Sequence, residues 1–164
     1  MLLNIIGFNI SWFGLILLEE RFIPVVILWI GLHFYYCKQP MAEFKLILSV
    51  TIIGIAIDSL LLFLDVFQFS NHLIIPLWLM MLWIAFAATI AHSLQFLSRC
   101  TLLQFVIGFI FPPLSYIAGE SLSSMTFGFE LFITYLVLAV IWSILMMLFF
   151  KLQKKFYKQE QSHA

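Results

Sequence analysis

Apolar residues fill six long blocks of this chain, separated by short polar joints: Leu2 to Leu18, Phe22 to Cys37, Leu46 to Phe67, Leu73 to Leu94, Thr101 to Gly119 and Leu131 to Phe150. A helix that crosses about 30 Å of hydrocarbon needs about 20 residues, and about 17 are tolerated. The pattern therefore predicts an all-α protein, a polytopic transmembrane helical bundle of six spans. The second block is short and is joined to the first only by Glu19, Glu20 and Arg21, which predicts a tight helical hairpin. An interfacial or re-entrant second segment is the alternative. The first block lacks a basic leader and a small-residue cleavage site, so it reads as a retained span.

Composition agrees with the pattern. A mean hydropathy of +1.12, with 64% hydrophobic and 10% charged residues, excludes a water-facing surface over most of the chain. The net charge is zero, but its distribution is uneven. Lys38, Lys45, Arg99, Lys151, Lys154, Lys155 and Lys158 fall on the side that holds both ends, and Arg21 alone falls on the other. Loops that retain Lys and Arg are cytoplasmic, so both termini are expected in the cytoplasm. Nothing separates domains, which predicts one transmembrane bundle over residues 1–150 and a basic cytoplasmic tail over 151–164. Cys37 and Cys100 lie at expected cytoplasmic helix ends, where thiols stay reduced. Basic residues are sparse outside the tail, which argues against nucleic acid as a partner.

Helical spacing shows which faces pack, because residues three and four apart share a face. On the first span Asn4, Gly7, Ser11 and Gly14 form a small, polar stripe, the pattern of a helix-packing seam in lipid. On the third, Thr51, Gly54, Asp58, Leu62 and Asp65 form another. Asp65 reaches the outer end, whereas Asp58 lies about 18 Å along the helix from Leu46, near the bilayer centre. An acid there costs about 3 kcal/mol on insertion scales and must face the bundle and find partners. Trp78, Met81, Ala85, Ala88 and His92 share a face of the fourth span, with His92 approaching the cytoplasmic end. The fifth span carries Pro112-Pro113, whose two missing amides predict a break and free the carbonyls of Gly108 and Phe109. Hydroxyl and indole groups, Ser115 and the tryptophans among them, are the expected donors.

Counting depth from the helix ends puts Asp58, Pro113, Ser11, Trp12 and Trp83 in one layer. The candidate polar site is therefore Asp58, Ser11, Trp12, Trp78, Trp83, His92, Pro113, Ser115 and Tyr116. The start of the half-helix expected near Pro113, Tyr116, Ser11 or a tryptophan would satisfy Asp58. Metal-ligand spacing is absent, so neither a metal nor a cofactor is expected. There is no H-E-x-x-H, G-x-S-x-G, D-x-D or phosphate-cradling glycine loop, which argues against the familiar enzyme chemistries.

Five stretches carry a resemblance: Ser11-Trp12-Phe13; Asp58-Ser59; Pro76-Leu77-Trp78 with Leu82-Trp83 and Phe86; His92-Ser93-Leu94; and Pro113-Leu114-Ser115-Tyr116 with Gly119. Together they resemble the domain of unknown function 2878 family of bacterial inner-membrane proteins. Members of that family look to be encoded near enzymes that modify membrane fatty acids, so the resemblance implies an inner-membrane location and a lipid-related role. It carries over no catalytic residues. The expected function is an accessory or carrier protein for membrane lipids or lipophilic metabolites. The alternatives are an intramembrane lipid-modifying enzyme using Asp58 or His92, and a scaffold for partner membrane proteins. Expected partners are the lipid bilayer, a lipid or lipophilic small molecule, and other membrane proteins.

Overall fold

A computed structural model of the chain describes residues 2–69, 74–122 and 124–161. Among these, six α-helices run in chain order: α1 (Leu2–Leu18), α2 (Ile23–Tyr35), α3 (Pro40–Phe63), α4 (Leu77–Ile90), α5 (Thr101–Ser121) and α6 (Leu131–Gln161). Two residue pairs, β1 (Phe67–Gln68) and β2 (Thr126–Phe127), make a short antiparallel ladder. The fold is all-α. Leu73, the expected start of the fourth block, and residues 162–164 of the expected tail lie outside the described residues.

Helix boundaries follow local chemistry more than hydropathy. α3 starts six residues before its apolar block because Pro40 stands at the first helical position, where no amide donor is needed. It ends after Leu64 with the amide of Asp65 donating to the Leu62 carbonyl (3.1 Å) and that of Val66 to the Leu61 carbonyl (2.9 Å). This is a Schellman closure with Asp65 in the left-handed region, at φ 56°. The turn then feeds β1, and β1 ties the loop after α3 to the loop after α5. α6 extends unbroken through Lys151, Lys154, Lys155 and Lys158, so the basic segment continues the last apolar helix.

Three helices, α3, α5 and α6, are long and apolar enough to cross a membrane. α1 has 17 residues, α2 13 and α4 14. At about 1.5 Å per residue the last two reach only about 20 Å. Successive helices run in alternating directions, as two contacts at one end of the bundle show. Asn4, at the start of α1, donates to the Ala88 carbonyl near the end of α4 (3.0 Å). Glu160, at the end of α6, accepts from the amide of Ala42 at the start of α3.

α3 is the spine. Its buried positions, Glu43, Leu46, Val50, Gly54, Asp58 and Leu61 among them, recur at intervals of three and four and pack against α4 and α6. Outward positions such as Leu48, Ile52, Leu102, Phe111, Phe132 and Ile144 are exposed and apolar. A surface of that kind belongs in hydrocarbon.

The double proline does not break the fifth helix, contrary to the expectation. α5 is continuous from Thr101 to Ser121 with Pro112 and Pro113 inside it. α6, packed along it, supplies the missing donor. Tyr135 Oη donates to the Phe109 carbonyl (3.2 Å), which lost its amide partner at Pro113. One turn earlier Ser143 Oγ lies 3.2 Å from the Phe105 carbonyl and 2.7 Å from that of Ala139 on its own helix. Neither Ser115 nor a tryptophan serves these carbonyls.

Tyr135→Phe should lower stability by about 0.5–1.5 kcal/mol, because it orphans a carbonyl that water does not reach. The loss should shrink towards zero in a Pro113→Ala background, where the restored amide bonds the same carbonyl. Reversible unfolding in mixed micelles measures both arms, and equal losses in the two backgrounds would contradict the assignment.

Candidate functional site

Asp58 is completely buried on the inner face of α3. Both of its carboxylate oxygens are occupied. Trp83 Nε1 of α4 donates to Oδ2 at 2.7 Å, and Tyr116 Oη of α5 donates to Oδ1 at 2.7 Å. Three helices are thus joined at one acid. Gly54 lies one turn before it, and a methyl group there would run into the Trp83 indole. The absent side chain is what lets the ring lie flat against α3. On its other side Trp83 stacks on Trp142 of α6, with ring centroids 4.9 Å apart and planes 3° from parallel. Tyr116 packs edge-on to Trp142 (6.3 Å) and against Phe67 of β1 (5.7 Å).

Beside this cluster lies a cavity of about 680 Å³ walled by residues of α1, α4, α5 and α6. Its lining is almost wholly apolar and rich in aromatic rings, with Trp12, Trp78, Trp83, Phe86, Tyr116 and Trp142 contributing. Polar atoms are few, and one pair crosses it: Trp12 Nε1 of α1 donates to Ser115 Oγ of α5 at 2.7 Å. Asp58 is not part of the lining. It stands behind the wall and holds Trp83 and Tyr116 in it.

The nine residues of the candidate polar site therefore divide. Asp58, Trp83 and Tyr116 form one hydrogen-bonded unit, and Trp12 with Ser115 forms another. Trp78 is buried against Phe69 (5.8 Å) and faces the cavity. Ser11 is buried but turns back to the Gly7 carbonyl of its own helix (2.7 Å). Pro113 is buried in α5 and does not line the cavity.

His92 belongs elsewhere, with partners that the sequence reading did not place. It follows α4 in a turn closed by its amide on the Thr89 carbonyl (3.1 Å). Its Nε2 lies 3.4 Å from Oε2 of Glu43, which is completely buried in the first turn of α3. His33, in the last turn of α2, bonds Oε1 of the same carboxylate through Nε2 at 2.8 Å. Tyr157 Oη of α6 donates to Oε2. By hydropathy alone Glu43 falls in the joint between the second and third apolar blocks. The available signal was its place one turn after Pro40, which puts an acid inside a helix facing the histidine that ends the preceding one.

An all-α bundle of apolar helices, three of them long enough to cross a membrane, with two acids fully enclosed on one helix, defines a membrane-associated helical protein. A family model described as protein of unknown function (DUF2878) matches residues 1–148, and the chain belongs to that family. No curated protein and no solved structure matches the chain.

Replacing Asp58 should destabilise the bundle in a fixed order. Asn keeps an acceptor for Trp83 but leaves the Tyr116 proton without one, at about 1–3 kcal/mol, and Leu orphans both donors at roughly twice that. Unfolding followed by tryptophan fluorescence should rank wild type above Asp58→Asn above Asp58→Leu. If Leu were as stable as wild type, the two hydrogen bonds would not be holding the helices.

Proposed function

We propose that this protein is an accessory or carrier protein that holds a lipid or lipophilic small molecule in the aromatic cavity between α1, α4, α5 and α6. The cavity carries the reading. Its volume, about 680 Å³, falls in the range of small-molecule sites, and it joins apolar walls to a few convergent polar groups, as such sites do. An aliphatic chain fits the walls, and a polar end is met by the hydroxyls of Ser115 and Tyr116. Both carboxylate oxygens of Asp58 are taken up by donors, so its part in binding is to fix the wall.

In this reading all six helices lie across a bacterial inner membrane, with both termini cytoplasmic. The alternating helix directions support it, and the basic residues at the ends of α6 and around α3 support the orientation. The two short helices, α2 and α4, then reach the interface through the 3-10 turns Glu19–Phe22 and Gln95–Arg99 that extend the chain beside them.

An intramembrane enzyme is the second reading. The cluster of His33, Glu43 and His92 favours it, because three helix ends bring ligating side chains together.

Filling the cavity tests the carrier reading. Wild-type protein extracted in mild detergent should retain a lipid or lipophilic metabolite by native mass spectrometry, and Ala118→Trp, which projects an indole from α5 into the cavity, should retain several-fold less while folding normally. Cells lacking the protein should show a shift in lipid profile that wild type restores and Ala118→Trp does not. Absence of any retained molecule together with unchanged profiles would abandon the carrier and move weight to a scaffold for partner membrane proteins.

A further inference from the structure

We infer that His33, Glu43 and His92 bind one first-row divalent transition metal ion at the end of the bundle that holds the start of α3 and the end of α6. The reading is separate from the cavity and goes beyond carriage. Each residue offers one ligand atom, and the three atoms lie within 4.8 Å of one another. They come from three different elements: the last turn of α2, the first turn of α3 and the turn after α4.

The distances fit such an ion. Bonds of about 2.0–2.2 Å to imidazole nitrogen and carboxylate oxygen, at tetrahedral angles, hold ligand atoms about 3.4 Å apart. His92 Nε2 and Glu43 Oε2 are already 3.4 Å apart. His33 Nε2 lies 2.8 Å from the other oxygen, Oε1, so the two imidazoles flank the two oxygens of one carboxylate, and an ion held on either oxygen draws the second imidazole toward it. The two imidazole rings meet edge to face with centroids 4.6 Å apart.

Three observations separate this cluster from an ordinary packed histidine. Glu43 is completely buried, yet no lysine or arginine pairs with it among the described residues. His92 Nε2 is shielded from solvent and makes no hydrogen bond, and its nearest polar neighbour is the Glu43 carboxylate at 3.4 Å. Tyr157 Oη donates to Oε2 of Glu43 and orients the carboxylate, the place that outer partners take around metal-bound acids.

Two imidazoles and one carboxylate are the donor set of catalytic zinc sites and of non-haem iron(II) sites, and both leave coordination positions open. The shared chemistry is a borderline-soft divalent ion with room for water or substrate. Ser93 and Leu94, which follow His92, line the aromatic cavity, so the cluster stands next to the chamber proposed for a lipophilic molecule.

The test uses the full chain in detergent. Elemental mass spectrometry of protein from cells supplied with zinc and iron should find about one ion per chain, and its identity separates the two metals. The stripped protein should rebind Zn2+ or, without air, Fe2+ in competition with a chromophoric chelator. His33→Ala and His92→Ala should each weaken binding at least about tenfold. His92→Cys, which keeps a ligand, should regain most of it, and Ile144→Ala, at an exposed position of α6, should bind like wild type. His92 is partly exposed in a turn, and an unchanged tryptophan spectrum verifies that its substitution leaves the bundle folded. Wild-type protein that binds neither ion, or His92→Ala that binds as tightly as wild type, would overturn the site and leave the cluster a histidine–carboxylate pair. Neither result depends on whether the cavity holds a lipid.

Discussion

An acid with no access to water must have each of its oxygens met by a donor, and in this fold that requirement falls on Asp58. Hydrocarbon offers no hydrogen bonds, so the partners have to come from neighbouring helices. Trp83 and Tyr116 supply them from α4 and α5. Once those two bonds are made, the rotation and depth of three helices are set against one another. Leucines packed against leucines would leave both free to slide. The rest of the core then follows from the orientation of Trp83. Gly54 must be bare for the ring to reach the acid, and Trp142 stacks on its far face to bring α6 into register.

The same rule governs the proline pair in α5. Removal of an amide donor in an apolar medium leaves a carbonyl that lipid does not serve, and a helix can break there or find a side chain to replace the amide. Here α6 runs alongside α5 closely enough that Tyr135 reaches the Phe109 carbonyl. Gly108 makes that approach tight, since a methyl group on it would meet the backbone of Trp142 and Ser143. The neighbouring helix thus replaces the amide that Pro113 removes.

Much of this was legible from the chain alone. Apolar blocks marked all six helices, and a central acid with no cation nearby marked Asp58 as needing donors, of which Tyr116 and a tryptophan serve it and Ser11 and a half-helix start do not. Intervals of three and four on α3 and α4 pointed to the buried stripes that contain Asp58 and Trp78. What periodicity does not carry is which polar group meets which. Ser11 and Pro113 share a depth with Asp58, yet Ser11 is satisfied within its own helix, and Pro113 packs without a polar contact. Glu43 escaped because hydropathy reports the average of a window. Beside Lys45 and after Gln39 it reads as part of a joint, whereas Pro40 starts the helix early enough to bury it. The cluster depends on the short connection from α2 into α3 and on the packing of α2 against α4, which brings His33 and the turn after α4 to one carboxylate.

α3 carries both fully enclosed acids. Glu43 and Asp58 are fifteen residues apart, about 22 Å along the axis and about 60° around it, so they look out of nearly the same side of one helix at two depths. Each gathers partners from other parts of the chain: Glu43 meets His33, His92 and Tyr157 at one level, and Asp58 meets Trp83 and Tyr116 at the other, with Gly54 clearing the way. The cavity touches both levels, at Ser93 beside His92 and at Tyr116 beside Asp58. Two polar stations fixed to one rigid helix keep a constant separation whatever the outer helices do, and an elongated apolar molecule lying between them would be met by polar groups near each end. The acid at the deeper station has no free oxygen and serves as architecture. At the other, His92 keeps a ring nitrogen without a hydrogen bond, and chemistry, where this fold performs any, belongs there.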